Sequence, residues 1–210
     1  MSLLRALRKI PGVNHVFLSS GFRHDLLIQE EARVYFEEVL RHHTSGRMKV
    51  APEHVSDRVL SMMGKPGRQS YEKFLRLFEK LNGTMPGKRY LVNYFMNAHP
   101  GAGLREALDL GLYCLNRRIH PEQVQDFIPL PMTLSAAMYH TGFHPLTGEA
   151  VPVPEALRER KLHRALVQYG IPSNRDLVRE ALGKLDARHL EKTFLGGFHG
   201  DPKRKGRPQQ

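Results

Sequence analysis

Four short apolar runs recur along the chain at intervals of roughly 30 to 40 residues, and this spacing limits the folds open to it. The runs lie at 15–18, 47–51, 90–96 and 124–128, are rich in β-branched or aromatic residues, and are bounded by Gly or Pro. We therefore predict four strands. The interval matches a βαβ unit with its crossover helix, which favours a parallel α/β sheet.

Helical periodicity fills the intervals between these runs. Amphipathic stripes extend over 71–81 and 104–115, and a weaker helical stretch at about 30–41 connects the first two runs. After the fourth run, prolines interrupt regular structure. Helices are predicted there at 134–139, at 156–169, and from Ser173 or Asn174 onward.

Four strands leave the size of the sheet open. A complete eight-stranded α/β barrel takes about 250 residues, whereas this chain has 210. The pattern alone is compatible with a small open sheet, and also with part of a larger barrel whose N-terminal strands are missing.

The charge balance favours anionic partners. The chain has 32 Lys and Arg against 21 Asp and Glu, a net charge of +11, which suits nucleic acid, phosphates or acidic lipid surfaces. Specific nucleic-acid binding is less favoured, because most aromatic residues lie on strand runs or helix stripes. No apolar run is long enough to span a membrane, and the N-terminus lacks a signal-peptide pattern, so a cytoplasmic location is expected.

Cysteine content restricts the metal chemistry of the chain. The single cysteine, Cys114, cannot form an internal disulfide, a Cys-rich zinc site or the thiolate set of an iron–sulfur cluster. Twelve histidines are present, without an HExxH motif. We therefore expect no metal site within this chain.

Ligands of parallel α/β folds collect at the carboxyl ends of the strands. The four loops there are 19–25, 52–57, 97–103 and 129–133. The loop at 97–103 could offer free amides to a carboxylate, ribose or phosphate, although its glycines also suit a plain turn. Glu53 and His54 could face a ligand, or Glu53 could simply cap a helix or form an ion pair, and Arg23 and Asp25 could bridge each other.

These same loops carry a longer pattern. The segments are VFLSSGFRHDLL (16–27), KVAPEH (49–54), MMGKPG (62–67), YFMNAHPG (94–101), QVQDFIPLPMT (123–133) and AMYHTG (137–142). In this order and spacing, from near residue 1 to about 185, the chain closely resembles the YgiQ-type radical S-adenosylmethionine (SAM) proteins.

The resemblance implies a partial (β/α) barrel in which an N-terminal Cys-x3-Cys-x2-Cys loop holds a four-iron four-sulfur (4Fe-4S) cluster. The open iron of that cluster binds SAM and reduces it to a 5′-deoxyadenosyl radical. This sequence lacks the cysteine loop, so it resembles the C-terminal half of the barrel at 1–133, the family's C-terminal extension at 134–195, and a disordered basic tail at 196–210. The implied partner is an N-terminal half that carries the cluster loop, as a separate polypeptide or as a part that has been lost.

The resemblance also implies which residues line the cavity, without assigning a catalytic role to any of them. The implied SAM-binding residues are Ser19, Ser20, Gly21, Arg23, Glu53, His54, Asn97, His99, Pro100 and Gly101. The implied substrate cavity is formed by Pro129, Pro131 and Met132.

Two hypotheses on function follow. In the first, the chain is a C-terminal piece of a radical SAM enzyme of unknown substrate, inactive by itself because the cluster ligands are absent. In the second, it is a noncatalytic interaction module derived from that fold, which binds anions or nucleic acid.

Overall fold

A computed structural model of the chain describes residues 1–121 and 123–196. They contain ten α-helices and three strands, in addition to short 3-10 turns. The helices are α1 (Ser2–Leu7), α2 (His24–Leu27), α3 (Arg33–His42), α4 (Asp57–Met62), α5 (Arg68–Gly83), α6 (Leu104–Asn116), α7 (Leu134–Thr141), α8 (Leu157–Val167), α9 (Arg175–Lys184) and α10 (Glu191–Gly196). The strands are β1 (Arg47–Glu53), β2 (Tyr90–Asn97) and β3 (Gln123–Asp126).

The three strands form one parallel sheet in the order β1-β2-β3. The register of β1 and β2 pairs Arg47 with Tyr90 and Val50 with Asn93, and it becomes irregular between Val50 and Glu53. The prediction of a parallel α/β fold is therefore confirmed at this level. The barrel itself stays a prediction.

The predicted first strand, at 15–18, is wrong. This segment is held to its neighbours by two separated backbone bonds, Leu18 N to His43 O at 2.9 Å and Phe22 N to Lys49 O at 2.8 Å. Only Phe22 forms a β-bridge, to Val50. Because no continuous ladder of hydrogen bonds develops, the sheet has three strands within the described residues and not four.

The chain divides into two compact units, residues 1–96 and 97–210. The predicted boundary between residues 133 and 134, where the C-terminal extension begins, stays a prediction. Of the predicted tail, residues 197–210 lie outside the described residues.

The core of the first unit lies between β1 and helices α3 and α5. The apolar stripe of α5 is buried, and Phe74 stacks on Phe36 of α3 with ring centroids 5.6 Å apart. The hydroxyl of Tyr71 donates to Asn93 Oδ1 at 2.7 Å and so connects α5 to β2. Arg68 N, at the start of α5, donates to Asp57 Oδ1 at 2.7 Å, which satisfies one of the free amides of the helix N-terminus.

The core of the second unit is built by α6, α8, α9 and α10. Leu110 and Cys114 of α6 are buried, as are Leu166 of α8 and Phe194 of α10. At Gly111 the backbones of α6 and α8 come so close that an added Cβ would lie 2.5 Å from Leu166 O. None of the described helices is both long enough and apolar enough to cross a membrane.

Candidate functional site

The loop at 19–25 lies beside β1 in the first unit. Its position is fixed by the bond from Phe22 N to Lys49 O and by the Phe22–Val50 bridge. Ser19, Ser20 and Gly21 are exposed. The loop therefore offers two hydroxyl groups and unobstructed backbone to a ligand next to β1.

Arg23 and Asp25 bind each other. Arg23 Nε lies 3.2 Å from Asp25 Oδ1, and Arg23 Nη2 lies 2.5 Å from Asp25 Oδ2. The hydrogen bonds from Arg23 lower the pKa of Asp25. Because the Arg23 side chain is largely exposed, its guanidinium can also reach an anionic ligand group from solvent.

His24, which lies between Arg23 and Asp25 in the sequence, is buried. Its ring contacts the rings of Tyr71 and Phe74, with centroids 5.4 and 6.2 Å away, and neither ring nitrogen has a hydrogen-bond partner. Burial lowers the pKa of His24. The imidazole is therefore held in its neutral form and packs as an aromatic ring.

Glu53 ends β1 in a left-handed backbone conformation, with φ of 64°. A tight turn forms there, in which His54 N donates to Pro52 O at 2.7 Å. Lys65 Nζ lies 3.3 Å from Glu53 Oε1. Burial raises the pKa of Glu53, and Lys65 opposes this effect. The turn and the ion pair together fix the direction of the Glu53 carboxylate.

His54 has a structural contact of its own. It is buried, and its Nδ1 accepts a hydrogen bond from Ser56 N at 3.0 Å, at the position that precedes α4. The structure therefore places Glu53 beside Lys65, while His54 supports the start of the next helix.

Asn97 is the last residue of β2 and is buried in the second unit. Its Nδ2 donates to Asp126 Oδ1 at 2.7 Å and to Arg160 O at 3.1 Å. Arg160 Nη2 in turn donates to Phe127 O at 2.9 Å, and Arg164 Nη2 lies 2.8 Å from Asp126 Oδ2. Helix α8 thus binds the ends of both β2 and β3.

The protonation of His99 follows from its two partners. Its Nδ1 lies 2.6 Å from Pro100 O, which can only accept, so Nδ1 carries the proton and Nε2 accepts from Ser135 Oγ at 2.8 Å. Burial lowers the pKa of His99 to about 4. His99 is therefore a neutral residue that connects the loop after β2 to α7.

Three amides of the loop at 97–103 are engaged. Gly101 N donates to Pro152 O at 2.8 Å and Ala102 N to His99 O at 2.9 Å. Gly103 N donates to Glu106 Oε2 at 2.9 Å. These three groups do not provide the cradle for a carboxylate, ribose or phosphate that the sequence suggested, and the Glu106 carboxylate repels an anion there.

The loop of the predicted substrate cavity follows β3. Thr133 Oγ1 donates to Leu130 O at 2.8 Å and accepts from Ala136 N at 3.1 Å, which fixes the loop to the start of α7. Pro129 is half-buried, whereas Pro131 and Met132 are exposed. Met132 has a left-handed φ of 65°.

Several residues of these clusters were not found from the sequence. Asp126 belongs to β3, Arg160 and Arg164 belong to α8, and Lys65 lies in the loop between α4 and α5. Burial opposes ionisation of Asp126, but hydrogen bonds from Asn97 and Arg164 outweigh it and lower its pKa. The available signals were the MMGKPG segment, which contains Lys65, and the QVQDFIPLPMT segment, which contains Asp126.

The described residues contain no group of three or more His, Cys, Asp or Glu residues that could hold a metal ion. Cys114 is fully buried, and burial raises the pKa of its thiol to about 12. A single inaccessible thiol does not fit an iron–sulfur cluster, which takes three or four thiolates.

Comparison with known proteins gives two findings. Residues 122–191 match the family model described as Domain of unknown function (DUF3362). A UPF0313 protein of Clostridium botulinum strain 657 is 47% identical over 190 residues, which are 90% of this chain and 30% of the relative. UPF0313 proteins of Methanocella arvoryzae and Clostridium perfringens strain 13 are 45% and 43% identical, over 31% and 29% of their own length. The chain thus spans about 30% of the length of the curated relatives it matches.

Proposed function

We propose that this chain is the C-terminal part of a radical SAM enzyme and contributes surfaces toward SAM and the substrate. The observation that carries the proposal is the backbone at the strand ends. Three of the four loops in which the resemblance places a binding role bend through a non-glycine residue with left-handed φ: Glu53 (64°), Ala98 (57°) and Met132 (65°). Such conformations cost about 1–3 kcal/mol each and cluster at ligand sites.

The comparisons support the proposal at a coarser level. Relatives named UPF0313 proteins contain a counterpart of almost the whole chain within a polypeptide about three times as long. Cluster ligands would then come from the remaining part of such a polypeptide, since Cys114 cannot supply them. A SAM molecule bound to that cluster would provide the reductive cleavage that starts radical chemistry.

The structure divides the implied binding residues into two groups. Ser19, Ser20, Gly21 and Arg23 are exposed, and Glu53 is half-buried, so these residues can contact a ligand directly. The other group is buried and bonded within the protein: His54, Asn97, His99, Pro100 and Gly101. We assign the first group to binding and the second to positioning of the loops.

Within the first unit, the chemistry of the exposed group suits SAM. The Arg23 guanidinium can pair with a carboxylate, the Ser19 and Ser20 hydroxyls can bond to a ribose, and the Glu53 carboxylate can accept from an ammonium group. In the second unit, half-buried Pro129 and the exposed Pro131 and Met132 offer an apolar surface, which would exclude water from a reacting substrate.

SAM binding tests the proposal. The test protein, called the joined polypeptide below, is the C. botulinum strain 657 relative with its matching 190-residue segment replaced by this chain. In equilibrium dialysis with labelled SAM, Arg23→Gln should weaken binding about 10-fold, because one charge-assisted hydrogen bond to the carboxylate is lost.

Arg33→Gln is the matched control, since Arg33 is ion-paired with Glu37 in the same unit and belongs to no implied binding loop. It should leave the affinity unchanged. No SAM binding by a folded joined polypeptide, or an equal effect of the two substitutions, would contradict the proposal.

A further inference from the structure

Residues 127–148, called the uncharged segment below, form an unusual surface of the second unit. They contain no Asp, Glu, Lys or Arg, although 25% of the residues in the chain are charged. Phe127 and Met138 of this segment are buried, but six other large apolar side chains are at least half exposed. These side chains are Ile128, Leu130, Met132, Leu134, Phe143 and Leu146.

The exposed apolar residues are held rigidly and do not belong to a loose loop. Phe127 N donates to Asn97 O at 2.8 Å before the loop, and Thr133 bonds to Leu130 and Ala136 after it. Gly142, with φ of 71°, ends α7, and Phe143 and Ala150 pair in an antiparallel bridge. The surface is therefore preorganised, which lowers the entropic cost of binding.

Met132 has the most unusual position in this surface. Its side chain is fully exposed, and its backbone adopts the left-handed φ of 65°. A strained backbone that holds an apolar side chain in water is unfavourable in the isolated unit. A binding partner that covers Met132 would recover the hydrophobic free energy.

We propose that the uncharged segment is a docking surface for the rest of a longer polypeptide. In the UPF0313 relative of C. botulinum strain 657, the part outside the matching segment makes up about 70% of the length. This inference rests on the proposed function in one respect, namely that the chain acts within such a polypeptide. The absence of charge disfavours nucleic acid as the occupant. The net charge of +11 on each copy disfavours a second copy of this chain.

Methionine oxidation measures whether Met132 is covered. Dilute hydrogen peroxide converts exposed methionine to the sulfoxide, and mass spectrometry gives the rate at each residue. Met132 should react at least 10-fold more slowly in the joined polypeptide than in the isolated chain. Met138 is buried in the same unit and should react slowly in both, which confirms that the unit is folded.

A pair of substitutions provides a second measurement. Leu130→Asp should leave the stability of the isolated chain nearly unchanged, because Leu130 is exposed, and should lower the urea midpoint of the joined polypeptide. Leu157→Asp is the matched control, since Leu157 is equally exposed but lies outside the uncharged segment. It should have no effect specific to the joined polypeptide.

Equal oxidation of Met132 in both proteins, with Met138 protected, would overturn the proposal. Protection of Met132 in the isolated chain that grows with protein concentration, or on addition of an oligonucleotide, would also overturn it by assigning another occupant. If the joined polypeptide does not fold, hydroxyl-radical footprinting can compare the intact C. botulinum protein with its isolated matching segment. The proposal then predicts that the counterpart of the uncharged segment is protected only in the intact protein. If Met132 is protected but the joined polypeptide does not bind SAM, the docking surface is retained and the proposed function is rejected. If SAM binds but Met132 is not protected, the proposed function is retained and the docking surface is rejected.

Discussion

Acidification from pH 6.5 to pH 4.5 should remove about 4 kcal/mol of folding stability through two buried histidines. His99 and His163 are each at most 2% exposed. Burial lowers the pKa of each to about 4, from an ordinary value of 6.5, although the Pro100 carbonyl and the Glu106 carboxylate act in the opposite direction.

The direction of this pH effect follows from proton binding to the folded and unfolded states. Below pH 6.5 the unfolded chain binds protons at both histidines, while the folded protein does not bind them until about pH 4. Protonation therefore favours unfolding across this window, by about 2 kcal/mol for each histidine between pH 6.5 and pH 4.5. Carboxylates with lowered pKa, such as Asp126, lose their contribution only at lower pH.

Urea unfolding at a series of pH values measures this dependence. His163→Leu should remove about half of the slope that His99 and His163 together contribute between pH 6.5 and pH 4.5, because neither ring nitrogen of His163 has a hydrogen bond to lose. The comparison at pH 8 is the control. His163 is then neutral in both the folded and the unfolded parent protein, so the parent and the variant should have similar stabilities. A flat profile in the parent protein, or a parent-like slope in the variant, would contradict this account.

Gly111→Ala should destabilise the second unit by about 1–3 kcal/mol, although alanine has the higher helix propensity. The new Cβ would lie 2.5 Å from Leu166 O and 3.1 Å from Phe194 Cε1. The first neighbour is backbone of α8 and cannot rotate away, so α6 and α8 must separate.

Gly183→Ala, in α9 of the same unit, is the matched control. An added Cβ there would meet only the end of the Arg188 side chain, at 3.6 Å. This variant should gain about 0.5–1 kcal/mol from reduced backbone entropy of the unfolded chain. Urea midpoints measured by circular dichroism should shift in opposite directions, and a Gly111→Ala protein as stable as its parent would refute the close contact.

Sequence periodicity was sufficient for the long helices. The stripe at 71–81 lies within α5, and the stripe at 104–115 lies within α6, because one apolar face of each helix is buried. Helices α1, α2, α4 and α10 were not predicted, since four to six residues carry too little periodicity. The first strand was predicted wrongly because its apolar residues do not meet a continuous hydrogen-bonding partner.

The sequence predicted where the loops of the candidate site lie along the chain, but it did not predict which of their side chains are exposed. Residue types and strand ends located the loops, but Asn97 is bonded to Arg160, 63 residues away, and His99 to Ser135, 36 residues away. Such distant partners leave no pattern near the loop itself. The sequence therefore could not separate residues that remain open, such as Arg23, from residues that hold the loops in place.

Formation of 5′-deoxyadenosine by the joined polypeptide tests the central claim most directly. Anaerobic purification should give roughly four irons per polypeptide, and reduction with SAM present should give 5′-deoxyadenosine. This chain alone, and the relative without its matching segment, should each form none. A folded joined polypeptide that holds its iron but does not cleave SAM, or equal cleavage in the absence of this chain, would contradict the proposal that the chain completes the site of a radical SAM enzyme.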